Sequence, residues 1–502
     1  DMLKGGQGNA AQSQAAGALF EACANNPENQ AGLFHAGGMP HMVELLKRTD
    51  QPDLQAKAAQ AIAAACAQNR DNRKEVLQAG GVAGLVGLLS SKHAITQENA
   101  ANALANIVKR KSEKKPAELP EGDEDDAAHE QHSGSADGGS ADGGNRSDEQ
   151  SSSNRGAGQA ELNKQGGMAA LMNLIQSGAP RVREAAAVAI ANAMENHPEN
   201  RDAFQKADGV EKMLGLLKTG DPLAQENATT ALWNAMVDNE KSRVDLIKHH
   251  GMPLLIQQLM AGTSIGQELA AGAIWKSCAN DTSIKADVRP AIPALVNLLR
   301  TGSTTAREQA AGALRSACVN SAPNKMELNR VNGISALVDV MRTGSLRARE
   351  QAGAALANAC ANSSENQKAA RHANAIQVLV ELVQQPGTPP DMLECSVAAI
   401  RNLCVNCPDN QVELARCGGV QSLLMFLRAD TRPQLLEYTV GALWKACTHC
   451  ESNRAVVLSH GVRNIEALAA DESLSPEIRR CAAGLIKALQ PADEEAAAGV
   501  GP

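Results

Sequence analysis

The sequence predicts an all-α solenoid, and three observations predict it. One helix is written many times: residues 303–320 read STTAREQAAGALRSACVN and residues 345–362 read SLRAREQAGAALANACAN. With Leu314 as its anchor, that helix recurs at Leu19, Ile62, Leu104, Ile190, Leu232, Ile274, Leu356, Ile400, Leu443 and Leu485, at steps of 43, 42, 86, 42, 42, 40, 42, 44, 43 and 42 residues. Aromatic residues make up only 2% of the chain while Ala is abundant, so helices can approach closely and form readily. A fixed period near 42 marks stacked units that are individually too short to bury a core. No strand-like alternation persists.

The elements follow in order. Residues 8–25 carry an anchor helix with no partner helices before it. Its apolar face implies further repeats upstream, and Asp1 is not expected to be a native start. From Pro27 each unit is regular: a short helix such as Asn29–His35, a Gly-Gly turn at Gly37 and Gly38, a second helix MPHMVELLKR at 39–48, then the anchor helix. Ten such units follow the first helix. Gly at the break ends the short helix at low cost. Asp221 before Pro222 and Ser475 before Pro476 place a cap ahead of Pro at the first helical position. Ser264 with Gln267 has capping-box spacing. Glu98, Glu184, Glu226, Glu268, Glu308, Glu350, Glu394 and Glu437 lie six before their anchors, where negative charge is expected to suit the helix dipole. Asn196, Asn280, Asn320, Asn362 and Asn406, six after, are expected at helix ends.

Seven of the twelve cysteines (Cys23, Cys66, Cys278, Cys318, Cys360, Cys404 and Cys447) sit four after an anchor, where other repeats have Val108, Met194, Met236 and Leu489. Anchor and anchor-plus-four share a helix face, so these thiols are expected to be core residues in a reducing compartment. The predicted localisation is cytoplasmic, with a nuclear share suggested by the basic run Lys109, Arg110 and Lys111. No apolar run approaches the ~18 residues of a membrane span.

The step of 86 contains a segment of another kind. Residues 112–158 are rich in Ser, Gly and acids, with twelve acidic and four basic residues, and so hold the whole formal charge of −8. Such a composition is expected to stay disordered. The domain reading is therefore N-terminal repeats over 1–111, the insert over 112–158, C-terminal repeats over 159–490 and a tail over 491–502.

The three-helix unit, its Gly-Gly turn before a helix such as GGVQSLLMFL (418–427), and the anchor helix ending in Asn, as in AGALRSACVN (311–320), resemble the armadillo repeat, in the manner of β-catenin and the vacuolar scaffolds. The resemblance covers nearly the whole chain outside the insert and tail. It implies a right-handed superhelix whose third helices line a groove, with Asn side chains there holding the backbone of an extended peptide. Helix geometry points to the same position: two after the anchor is about 200° round from it. The chain has Asn106, Asn192, Asn234, Lys276, Ser316, Asn358, Asn402, Lys445 and Lys487 there, and an Asn amide offers both donor and acceptor to a main chain. The import-adaptor branch implies Trp two before the anchor, where this chain has Asn102, Val188, Thr230, Gly272, Gly312, Ala354, Ala398 and Gly441. Cargo import is disfavoured accordingly. Trp233, Trp275 and Trp444, one after their anchors, are expected to pack between repeats.

Other motifs are declined. Cys404-x-x-Cys407 and Cys447-x-x-Cys450 have zinc-like spacing, but stacked helices about 8–10 Å apart keep four sulfurs from one metal. Gly262-Thr-Ser264-Ile-Gly266 lacks the strand a nucleophile elbow needs. No catalytic group, metal site or cofactor is expected, and a neutral array with five Tyr and Phe disfavours nucleic acid. The predicted function is a non-enzymatic scaffold for extended protein segments, acidic ones toward the C-terminal half. The alternative is a substrate-recruiting arm of a larger protein such as a ubiquitin ligase.

Overall fold

Every third helix is built on the same internal logic. Its anchor and the residue four later face inward together, one turn apart. Ile62, Leu104, Ile190, Leu232, Ile274, Leu314, Leu356, Ile400, Leu443 and Leu485 are all fully buried, and so are the seven predicted cysteines, with Val108, Met194 and Met236 in the same slot. Between them run small residues such as Ala58, Ala59 and Ala61, or Ala310, Ala311 and Ala313, also buried. Within each compact unit, small faces let third helices such as Pro52–Cys66 and Ala94–Val108, or Thr304–Cys318 and Leu346–Cys360, lie directly on one another.

The computed structural model describes residues 2–3, 8–109, 156–278, 284–428 and 431–490, and these are helical with no strand among them. A first helix, Asn9–Cys23, precedes ten three-helix repeats, numbered here one to ten by their anchors from Ile62 to Leu485. Repeat one shows the pattern: Pro27–His35, Gly38–Leu45 and Pro52–Cys66. Packing divides the chain into two compact units, Asp1–Ala235 and Met236–Pro502. The first holds the initial helix and repeats one to four, and the second holds repeats five to ten. The acidic stretch 112–158 and the tail 491–502 fall almost wholly outside the described residues, as does Asn280.

Turn chemistry explains the punctuation. Asn196, Asn320, Asn362 and Asn406, with Asn25 and Asp238 at the same offset, take φ between 51° and 54°. That left-handed conformation is one that Asn and Asp tolerate better than other side chains. Gly37, Gly80, Gly166 and Gly418 do the same at the end of the first helix, where Asp208, His250, Asn332 and Asn374 replace them in other repeats.

Three local readings are corrected. The eight glutamates six before the anchor are the fifth residue of their helices, as Glu308 is in Thr304–Cys318, so they lie beyond the first turn and serve the dipole little. Thr263, rather than Ser264, caps the third helix of repeat five by accepting from the Gly266 N–H at 3.0 Å. Repeat six has no Gly-Gly turn. Its first helix is the four residues Lys285–Val288, running through a 3-10 turn at Arg289–Ala291 into Ile292–Thr301, which accounts for the short step of 40. Asp221 and Ser475 cap as expected.

Candidate functional site: the third-helix face

Away from the anchors, each third helix presents a stripe at four-residue spacing: the Glu six before the anchor, the residue two before, and the residue two after. The predicted site residues Asn106, Asn192, Asn234, Lys276, Ser316, Asn358, Asn402 and Lys445 all lie on this stripe and are half-buried, while Lys487 is exposed. In the first unit these are three amides, and in the second a mixture of amides, Lys and Ser.

The amides are fixed in a way the sequence did not reveal. Each donates its Nδ2 to the carbonyl one residue after the anchor of the preceding repeat. Asn106 reaches Ala63 at 2.9 Å, Asn192 reaches Ala105 at 3.1 Å and Asn234 reaches Ala191 at 3.0 Å. In the second unit Asn358 reaches Arg315 at 3.1 Å and Asn402 reaches Ala357 at 2.8 Å. One N–H is therefore spent between repeats. The second N–H and Oδ1 have no partner among the described residues, and the first bond holds them in a set orientation. Each of these bonds clips two repeats together.

The cationic positions are held differently. Lys276 Nζ lies 4.2 Å from the centroid of the Trp275 ring, and Lys445 Nζ lies 3.5 Å from that of Trp444. Each ring in turn covers a glycine of the next repeat: a Cβ on Gly312 would come within 2.4 Å of Trp275, and one on Gly484 within 2.7 Å of Trp444. These two tryptophans pack between repeats and support an ammonium beside them, a cation–π contact. Burial lowers the affinity of both lysines for their protons; at Lys276 the carboxylates of Asp238 and Glu308 oppose this.

The Glu row is crowded. Burial raises the Glu184 carboxyl above the ordinary range, and neighbouring Asp221 and Glu98 raise it further against Arg181. Glu350 is raised by burial and by Asp391 and Glu308, with Arg315 and Arg347 opposing. Elsewhere the row engages the start of the next third helix. Ser303 donates to Glu268 at 2.6 Å, and Arg432 pairs with Glu394 at 3.4 Å.

A second amide ladder went unread. Asn72, Asn200, Asn324, Asn366, Asn410 and Asn453, each the third residue of a first helix, are at most 1% exposed. Each Nδ2 spans two carbonyls. Asn366 donates to Ala359 at 2.9 Å, at the end of the preceding third helix, and to Lys325 at 3.2 Å, in the previous repeat's first helix. The next residue along caps the third helix of its own repeat. Gln367 donates to Asn402 and Val405, and Gln411 to Lys445, each at a third-helix end. These bonds satisfy carbonyls that a helix terminus leaves unpaired.

The comparisons agree with this architecture. The family model for the Armadillo/beta-catenin-like repeat matches residues 69–109, 158–194, 197–237 and 288–319. The chain is similar in structure to a crystallised engineered protein from a structural genomics consortium, with a TM-score of 0.73 and 23% identity over 90% of this chain and 98% of that one. It is also similar to a structure from a study of a phosphorylation switch controlling the interaction between cadherin and beta-catenin, with a TM-score of 0.69 and 15% identity over 97% of this chain and 90% of that one. At those identities the likeness is one of fold. A comparison with curated protein sequences finds no match. Four stretches of the chain thus match the Armadillo/beta-catenin-like repeat, and the period, helix order and buried anchor ladder carry the same all-α solenoid architecture through the other repeats.

Proposed function

We propose that this chain is a non-catalytic interaction scaffold that takes an extended segment of a partner protein along the third-helix face of its repeats. The observation that carries the reading is the row of amides whose Nδ2 is tethered to the preceding repeat while a second N–H and Oδ1 stay available. Across repeats two to four of the first unit, and again across repeats seven and eight of the second, a main chain meets a donor and an acceptor about every 10 Å, the helix packing distance. Contacts of that kind are indifferent to sequence, and side-chain pockets between them supply selectivity. In the second unit Lys276 and Lys445 add positive charge on the same stripe, which favours a segment with acidic side chains there. The neighbour in the cadherin and beta-catenin study is a precedent for the fold engaging a protein partner. Nucleic acid is not the partner on this reading.

The twelve free cysteines, nine of them buried, fit a reducing, cytoplasmic setting. Among the described residues no helix is long and apolar enough to cross a membrane. The substrate-recruiting arm of a larger enzyme is the second reading. It uses the same face and differs only in what else the full gene product carries.

The test is substitution on the face. Asn358→Ala with Asn402→Ala removes two amides from the second unit. It is expected to weaken capture of a degenerate extended-peptide pool by about tenfold, or about 1.4 kcal/mol. The loss of two inter-repeat hydrogen bonds should cost about 1–3 kcal/mol of stability, visible in denaturant titration without loss of helicity. Undiminished peptide capture by the folded double variant would overturn the reading.

A further inference from the structure

We infer that Arg401 and Lys445, on the third helices of repeats eight and nine, form a seat for a doubly charged phosphate ester on the bound segment. This rests on the third-helix reading above and adds a residue-specific requirement to it.

The geometry comes from a glycine. Gly441 lies on the stripe two before the anchor of repeat nine, and its bare backbone lets Arg401 of repeat eight lie across it. A Cβ at 441 would stand 3.1 Å from Arg401 Nε and 3.5 Å from Cζ. Lys445 is four residues further along the same helix, and residues so spaced are neighbours, about 5–6 Å between Cβ atoms. Its ammonium is kept close in by the Trp444 ring beneath it, and that ring is backed by Gly484. A guanidinium fork and an ammonium therefore share one half-buried spot on the stripe.

Neither cation is paired, and the Glu477 carboxylate within electrostatic reach of Arg401 is already bonded to Arg480. Among the described residues Arg401 has no hydrogen bond or ion pair, and the Lys445 ammonium has only its ring contact. Other arginines nearby are paired: Arg432 with Asp391 and Glu394, Arg416 with Glu413, Arg371 with Asp409, and Arg480 with Glu477. The surroundings of Lys445 agree. After burial, the groups that most disfavour its charge are Arg401 and Arg480, and no carboxylate acts on it, in contrast to Lys276 with Asp238 and Glu308. Two like charges held together in a half-dry setting are a cost that an incoming anion removes. A single carboxylate can neutralise one of them. A phosphate monoester carries about −1.5 to −2 charge and three acceptor oxygens, enough to bond the fork and the ammonium together.

The probes are three fluorescein-labelled decapeptide pools, degenerate at flanking positions, with phosphoserine, Asp or Ser fixed at the centre. They are titrated by anisotropy against the whole chain at low salt. The phosphoserine pool is expected to bind about tenfold tighter than the Ser pool and several-fold tighter than the Asp pool. Arg401→Gln and Lys445→Gln are each expected to abolish most of that preference, read as the ratio of phosphoserine-pool to Ser-pool affinity within the same variant, while leaving the unfolding midpoint in place. Equal binding of the phosphoserine and Ser pools, or a preference that survives both substitutions, overturns the seat. Equal binding of the Asp and phosphoserine pools overturns the double charge. The amide-face reading fails separately, if Asn358→Ala with Asn402→Ala leaves every pool bound as before.

Discussion

Asn366→Ala is expected to destabilise the second unit by about 2–3 kcal/mol, although the residue lies in a polar helix that reads as solvent-facing. Its amide is wholly buried and ties Ala359 O to Lys325 O, so truncation removes the bridge between the first helices of repeats seven and eight. Ala359 O stands at the end of its helix and loses its side-chain partner, and an unsatisfied buried carbonyl costs about 1–3 kcal/mol. A partial offset comes from Oδ1, which is buried without a partner and vanishes in the variant. Denaturant titration measures the loss. A change within about 0.5 kcal/mol, as for an ordinary surface site, would mean the ladder is ornamental.

The second large effect belongs to an anchor. Leu356→Ala empties a fully buried position at the centre of repeat seven, flanked by Ala355 and Ala359, which are too small to fill the space. Large-to-small changes in such sites cost about 2–5 kcal/mol, with the upper part reached where surroundings cannot collapse. Ala neighbours already in close helix contact leave little room to collapse. Because each repeat contacts only its neighbours, the cost should fall on coupling to repeats six and eight. Hydrogen exchange should then rise across those three repeats and remain low in repeat ten.

The sequence made the periodic parts legible because burial repeats with the helix. The anchors, the thiol slot four residues later and the Asn residues at helix ends all follow from one 42-residue register, and so did the packing role of Trp275 and Trp444. What it hid were contacts between repeats. Asn366 sits in SENQKAARH, whose composition points to solvent, and only the recurrence of Asn ten residues after Ile62, Ile190, Leu314, Leu356, Ile400 and Leu443 marked it as unusual. The tether from Asn358 to Arg315 O depends on the distance between two helices, which spacing along one helix cannot supply. The glutamate row was assigned to the helix dipole because its distance from the true helix start was unknown; the fifth position places it on the stripe instead.

The most direct measurement is site-specific photo-crosslinking of a bound phosphoserine-pool peptide. A benzophenone amino acid replaces Ser316, on the stripe of the third helix of repeat six, or Met326, which is 72% exposed on the first helix of repeat seven. Crosslinks from position 316 and none from 326 are the predicted result. Crosslinks from 326 with silence at 316 would put the partner on the opposite edge of the repeats and contradict the account.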